Sequence, residues 1–261
     1  MNTIKFKNSE QKSNKRGLLK YLLILISLFA GTNAYSQLVS NYSFNQSTAT
    51  YKQAGVGAQL TAATGNYDDN NFALVTLPFS FIYCGVSYTT IGISANGYVK
   101  LGGTTSTYYS NVFASQALTL APFAQDLYGL AAGRDMSYAT IGSTGSRAFV
   151  VQWTNWGFYS AGTNAISFQL KLFEGTNNIQ FVYGASAPTG TTVYVGLSGA
   201  TTTDLNVRTT STSWAATTAG GSGNTCTFSS TVFPANGAIF QWTPAANARS
   251  EEHTSELQSR F

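Results

Sequence analysis

The sequence predicts an all-β domain, an antiparallel β-sandwich or jelly roll, that follows an export signal at residues 1–36. Three observations indicate this fold: short segments that alternate apolar and polar residues, turn residues between them, and no long helical pattern after the signal. The 212 residues from 37 to 248 can bury about 70% of their unfolded surface in one core. A single domain therefore suffices.

The export signal has the expected three parts. The first twenty residues carry six basic side chains and one acidic side chain. The apolar run 22–30 that follows is shorter than the about 20 residues that a membrane helix needs, and the small residues Ala34 and Ser36 fit a cleavage site. We expect cleavage after Ser36, or after Ala34 as second choice; an uncleaved anchor is the alternative. The mature chain is then secreted or held at the outer cell surface, without a membrane span.

The net charge of +4 belongs to the signal, because residues 37–248 hold six basic and six acidic side chains. Without a basic excess, the long-range attraction that drives binding to a phosphate backbone is missing. We therefore exclude nucleic acid as a partner.

The composition changes abruptly at Arg249. The single histidine, His253, and three of the five glutamates lie in the last thirteen residues. Residues 249–259 resemble the translation of a sequencing adapter, so we expect residues 249–261 to be a non-native tail and the native protein to continue past Ala248. A genuine polar tail is the alternative.

The first clear strand is Leu77–Tyr83, whose alternation puts Leu77, Phe79, Phe81 and Tyr83 on one face. Asn96-Gly97 is a strong turn signal, because both residues tolerate positive φ. It predicts that 98–101 returns antiparallel to 88–94. Later strands are predicted at 148–154, 166–173, 179–183, 193–197 and 238–242.

Several of these segments carry a family resemblance over residues 41–244. They include 77–81 (LPFSF), 94–98 (SANGY), 149–153 (FVVQW) and 240–244 (FQWTP). Together they resemble a β domain of secreted proteins of Bacteroidetes-type bacteria, and the Asn-Gly and Phe-Val-Val-Gln-Trp segments are more distantly similar to nidogen-like extracellular domains. The bacterial resemblance implies fibronectin-like modules and a type IX secretion signal farther along, and this sequence contains neither.

Catalysis is not expected, because residues 37–248 contain no histidine. Serine-histidine hydrolysis, cysteine-histidine catalysis and histidine-ligated zinc all need an imidazole. The enzyme alternative is a glycoside hydrolase that pairs Asp126 with Glu174, which requires carboxylates about 5–9 Å apart. For both residues a structural role is the competing interpretation, as it is for Asp135.

Calcium is the one cofactor that the sequence suggests. Asp68, Asp69 and Asn70 lie together in a loop and offer the oxygen ligands that calcium accepts. Asp and Asn are also ordinary turn residues, so a plain turn is the alternative.

A cluster of aromatic residues supplies the leading candidate for ligand binding. Because Trp153 is expected in the core, Trp156, Phe158 and Tyr159 lie at or beyond the strand end. Exposed rings there could stack on sugars or contact a protein; the alternative is that they cap the core. We expect a non-catalytic adhesion or recognition module whose partner is an extracellular glycan or protein surface, with a structural spacer as a further alternative.

Two cysteines, Cys84 and Cys226, permit one disulfide in an oxidising compartment. Because a bridge needs Cα atoms within about 7 Å, the sequence leaves a bridge and two free thiols open.

Overall fold

The computed structural model describes residues 37–55, 57–59, 67–105, 110–129, 133–159, 166–188 and 190–245. All of these belong to one compact unit, Ser36–Phe261. The predicted signal peptide at residues 1–36 and the predicted non-native tail at 249–261 lie outside the described residues. Within the described ranges, no helix is long and apolar enough to cross a membrane.

Strands dominate the described residues. They are β1 (Ser43–Thr48), β2 (Ala58–Gln59), β3 (Asn71–Tyr83), β4 (Val86–Ser94), β5 (Tyr98–Leu101), β6 (Thr119–Ala124), β7 (Leu127–Tyr128), β8 (Asp135–Ile141), β9 (Ala148–Phe158), β10 (Ile166–Phe173), β11 (Ile179–Ser186), β12 (Thr191–Ser198), β13 (Leu205–Thr209), β14 (Thr218–Gly220), β15 (Cys226–Phe228) and β16 (Ala238–Thr243). The helical turns are α1 (Val112–Ser115) and two 3-10 turns, Val39–Asn41 and Trp214–Ala216.

The strands form two antiparallel sheets that pack as a sandwich, which confirms the predicted fold class. Sheet A has the order β1-β16-β11-β10-β9-β8-β2, and β7 also pairs with β9. Sheet B has the order β14-β13-β12-β6-β5-β4-β3, and β15 also pairs with β12. Their inner faces bury a continuous apolar core that includes Trp153, Trp242 and Tyr183.

The alternation seen in the sequence predicts this core well. Leu77, Phe79, Phe81 and Tyr83 of β3 are all buried, as predicted. The Asn96-Gly97 turn joins β4 to β5, as expected. Gly97 has φ +76°, and a Cβ there would lie 2.1 Å from the Phe123 carbonyl oxygen, so only glycine fits.

The sandwich has two poles that matter for function. We call the end where β9 finishes at Phe158 the tip and the end where β9 begins at Ala148 the base. The register β1–β16 pairs Ser43 with Thr243 at the base. Gln37 Nε2 also donates to the Ala245 carbonyl oxygen over 2.6 Å, so the two ends of the described domain meet there.

The outer face of sheet A is partly covered by a segment that we call the strap (residues 51–55). Its backbone is held by glutamine side chains: Gln152 Oε1 accepts from Ala54 N at 2.9 Å, and Gln169 Nε2 donates to Lys52 O at 2.8 Å. Gln169 is consequently fully buried and Gln152 is 5% exposed. The polar face of β9 and β10 is therefore an interior surface at this point.

Candidate functional site

The candidate site lies at the tip and is assembled around Asn96. This fully buried residue donates from Nδ2 to Asp69 Oδ1 over 2.9 Å. Its Oδ1 accepts from Leu127 N at 2.9 Å, and its carbonyl oxygen accepts from Gln125 N at 3.3 Å. One side chain in a tight turn thus fixes the loop at Asp69 against the loop between β6 and β7.

Asp126 lies in the second of these loops and carries an uncompensated charge. Within the described residues no group donates a hydrogen bond to its half-buried carboxylate. Burial raises the pKa of Asp126, and the nearby carboxylates of Asp68 and Asp69 raise it further. Burial also raises the pKa of Asp68, with Asp69 as the next cause. The loops therefore bring three acidic side chains into electrostatic contact.

The aromatic residues at the strand end separate into buried and exposed members. Trp156 is 0% exposed and donates from Nε1 to Ala95 O over 2.8 Å, and Phe158 is 6% exposed and packs near Phe123. The expectation that these two rings are exposed is wrong. Tyr159 is 53% exposed and makes an edge contact with Tyr128 at 5.5 Å.

A β-bulge explains the burial of Trp156. Asn155 has φ +54°, and the register between β9 and β10 shifts there, from Trp153 opposite Phe168 to Trp156 opposite Ile166. The extra residue resets the alternation, so Trp153 and Trp156 both point into the core.

The side chains of Tyr67 and Arg134 also lie at the tip, next to Trp156. The Tyr67 ring meets Trp156 edge-on at 5.5 Å, and the Arg134 guanidinium lies 5.2 Å from the centre of the Tyr67 ring. We call the set Tyr67, Asp68, Asp69, Asp126 and Tyr159 the tip site. It combines carboxylate acceptors with aromatic rings at one end of the sandwich.

The predicted calcium ligands lie in this site, but their polar atoms are partly engaged. The Asn70 side-chain amide donates to Asp68 O at 2.7 Å, and Asp69 Oδ1 accepts from Asn96. In the described part of the chain, no group of three or more His, Cys, Asp or Glu side chains is arranged to hold a metal ion. Calcium at Asp68, Asp69 and Asn70 stays a prediction.

The structure separates the two carboxylates of the hydrolase alternative. Asp126 O accepts from Tyr159 N at the tip, whereas Glu174 N donates to Arg147 O at the base. The eleven residues of β9 lie between them, a distance of about 33 Å at the rise of a β-strand. A glycosidase that pairs Asp126 with Glu174 is therefore wrong, because the pair must lie within about 9 Å.

Glu174 instead forms an ion pair with Arg147. Its two carboxylate oxygens accept from Arg147 Nε at 2.8 Å and from Nη2 at 2.6 Å. The hydrogen bonds with Arg147 lower the pKa of Glu174 to about 2. Asp135, the third carboxylate considered, accepts from Ser137 Oγ and from Gln152 Nε2. Glu174 and Asp135 therefore stabilise sheet A through these contacts.

Cys84 and Cys226 are free, buried thiols, so the structure does not form the disulfide that the sequence permits. Cys84 lies at the β3–β4 turn, where its N–H donates to Tyr42 Oη at 3.0 Å. Cys226 begins β15, and its Sγ lies 3.5 Å from Arg208 O. Burial raises the pKa of each thiol to about 12.

Sequence reasoning missed the parts of the site that depend on long-range contacts. It recognised Asn96 only as a turn residue, and it did not place the Tyr67 ring between Trp156 and Arg134. The one available signal was Asn96 itself, since asparagine can satisfy backbone groups from two loops at once.

The family assignment rests on comparisons with known proteins. No curated protein and no solved structure shows a significant match to this chain. The model of a family described as NIDO related, a class of nidogen-like extracellular domains, matches residues 41–244. That range contains both sheets and the whole tip site, and the match supports the more distant likeness seen in the sequence. The chain belongs to the NIDO-related family.

Proposed function

We propose that this chain is a non-catalytic extracellular recognition module that binds a neutral glycan at the tip site. The observation that carries the proposal is the Asp126 carboxylate, which accepts no hydrogen bond from a described group and whose pKa is raised by burial and by the charges of Asp68 and Asp69. A half-buried carboxylate without donors is unfavourable unless a ligand supplies them.

Sugar hydroxyls are suitable donors for this arrangement. The Asp126 carboxylate can accept hydrogen bonds from two neighbouring hydroxyls of one sugar ring. The exposed ring of Tyr159 can stack on the apolar face of the same sugar. Trp156 and Phe158 lie behind these groups and position them without touching the ligand.

The placement of the two ends of the described domain supports a role in recognition at a surface. Gln37 and Ala245 meet at the base, whereas the tip site lies about 33 Å away along β9. A domain attached through its base would present the tip site outward. In this proposal residues 1–36 direct export, and modules beyond residue 248 hold the domain at the surface of a Bacteroidetes-type cell.

A glycan array tests the proposal, with the chain purified after export and its N-terminus established by mass spectrometry. We expect binding to one or more neutral glycans, and we expect Asp126→Asn and Tyr159→Ala each to weaken it about tenfold, or about 1.4 kcal/mol. Phe233→Ala is the matched control, because Phe233 is a 40% exposed ring outside the tip site.

Two outcomes of the array would contradict the proposal. Absence of binding to any glycan would favour a spacer role. Binding that both tip variants leave unchanged would place the glycan elsewhere on the domain. Circular dichroism of each variant confirms that the fold is intact.

A further inference from the structure

A second polar surface, separate from the tip site, lies on the outer face of sheet A. We call it the amide row; its members are Asn45 of β1, Gln241 of β16, Gln180 of β11 and Lys171 of β10, which are successive partners in the strand register. Gln180 Nε2 donates to Gln241 Oε1 at 2.6 Å, and Gln241 Nε2 donates to Thr243 Oγ1 at 3.2 Å. These bonds orient the two amides along the face.

Lys171 is the unusual member of the row. Its side chain is half-buried, and burial lowers the pKa of its ammonium group. Within the described residues the one ion pair joins Arg147 to Glu174, and no carboxylate pairs with Lys171. Partly buried charges are normally compensated by a partner, so this cation is available to an anionic ligand.

The strap brings a second cation to the same face. Gln169 Nε2 binds the carbonyl oxygen of Lys52 at 2.8 Å, and Gln169 lies two residues from Lys171 on the same face of β10. Two residues along a strand correspond to about 7 Å. Lys52 is exposed, and neither the amide row nor the strap contains an acidic residue. Two lysines thus border one surface. The Asp135 carboxylate on the same face is already engaged by Ser137 Oγ and Gln152 Nε2, and neither lysine forms an ion pair with a described carboxylate.

We propose that the amide row binds an anionic polysaccharide, whose carboxylate or sulfate groups pair with Lys171 and Lys52. The amides of Gln180 and Gln241 supply hydrogen bonds to its hydroxyls, and the strap forms one wall of the surface. Residues 37–248 have no net charge, but two of their six basic side chains, Lys52 and Lys171, lie along this one face. The proposal goes beyond glycan binding at the tip, because it uses different residues and a different ligand charge.

Binding to three soluble polymers tests this inference, using the same exported chain. We expect binding to polygalacturonate, which carries carboxylates, or to dextran sulfate, and no binding to unsubstituted dextran. Lys171→Gln and Lys52→Gln should each weaken the binding about fivefold, the upper range for one partly solvated ion pair. Lys171→Arg should retain most of it, and added salt should weaken it.

Lys100→Gln is the matched control, since Lys100 lies on β5 in sheet B and is also half-buried. Equal losses for all three glutamine variants would indicate general charge attraction and overturn the proposal. Failure to bind either polyanion, or equal binding to unsubstituted dextran, would overturn it as well. Because Lys52 is exposed on the strap, its variant keeps the test informative even if Lys171→Gln fails to fold. Asp126→Asn should leave binding of the polyanion unchanged, so the proposals for the tip site and for the amide row can be contradicted independently.

Discussion

Asn96 and Asp69 are joined by a hydrogen bond of 2.9 Å from the amide nitrogen of the first to a carboxylate oxygen of the second. The same amide satisfies the backbone N–H of Leu127. Asn96 is fully buried, so water cannot replace these bonds if the side chain changes. The tip site therefore depends on a residue that no ligand would touch.

Replacing Asn96 with Asp should destabilise the domain strongly. The variant keeps the shape but places a buried carboxylate against Asp69, so we expect the free energy of unfolding to fall by about 3 kcal/mol at pH 7. Urea denaturation followed by tryptophan fluorescence measures the change. Asn224→Asp is the control, because Asn224 accepts from Gly221 N in an exposed turn. Similar losses at both positions would contradict the role given to Asn96.

The two aromatic residues Trp156 and Tyr159 should respond very differently to truncation. Trp156→Ala removes a fully buried ring and leaves the Ala95 carbonyl oxygen without its donor, which should cost about 3–5 kcal/mol. Tyr159→Ala removes an exposed ring and should cost less than about 0.5 kcal/mol. Thermal unfolding of the two variants provides the measurement. Comparable stabilities would show that Trp156 is not in the core.

Asp126→Asn should stabilise the domain at neutral pH. The pKa of Asp126 is raised in the folded state, chiefly by burial, so the wild-type fold loses stability as pH rises through the interval from the ordinary carboxyl pKa to the raised one. Asparagine removes that loss. The gain should be under about 1 kcal/mol, because the site is partly solvated. Melting temperatures at pH 7 and pH 3 test this, and the advantage should disappear at the lower pH.

Loosening the strap should expose Lys52 to trypsin. Gln152→Met keeps the side-chain length but removes both hydrogen bonds to Ala54 and those to Asp135, Ser137 and Gln169. Cleavage after Lys52 should therefore accelerate by at least about fivefold, the effect expected for one net hydrogen bond. Mass spectrometry of timed digests identifies the cut. Gln241→Met changes another glutamine of the outer face that does not bind the strap, and it should leave the rate unaltered.

The thiols of Cys84 and Cys226 should be unreactive until the chain unfolds. Both are buried, and the pKa of each is about 12, so little thiolate exists at pH 8. We expect a chromogenic disulfide reagent to label no thiol in the native protein and two in urea. No labelling in urea would reveal a bridge instead.

The sequence was informative where local pattern controls structure. Alternation in Leu77–Tyr83 and in Ile166–Leu172 predicted which side chains are buried, because one sheet face meets the core. It was uninformative where one backbone angle changes the pattern, as at Asn155, whose bulge turns Trp156 inward. Burial of Gln169 also escaped prediction, since the strap that covers it is 117 positions away in the chain.

The same limit applies to the tip site. Asp68, Asp69 and Asp126 were each recognised as candidates, but as members of different sites. Only the fold shows that Asn96 joins the two loops that carry them, by bonding to Asp69, 27 positions away, and to Leu127 N. The sequence indicates that these residues are acidic and lie in loops. Their proximity depends on contacts between loops that are distant in the chain.

The meeting of Gln37 and Ala245 at the base has a mechanical consequence. A pull between these two ends would open the β1–β16 pairs one after another, beginning at Ser43 and Thr243. A pull between a ligand at the tip and the chain at Ala245 runs along the strands instead, so the hydrogen bonds that flank β16 on both sides resist together. The domain should yield easily to the first load and resist the second.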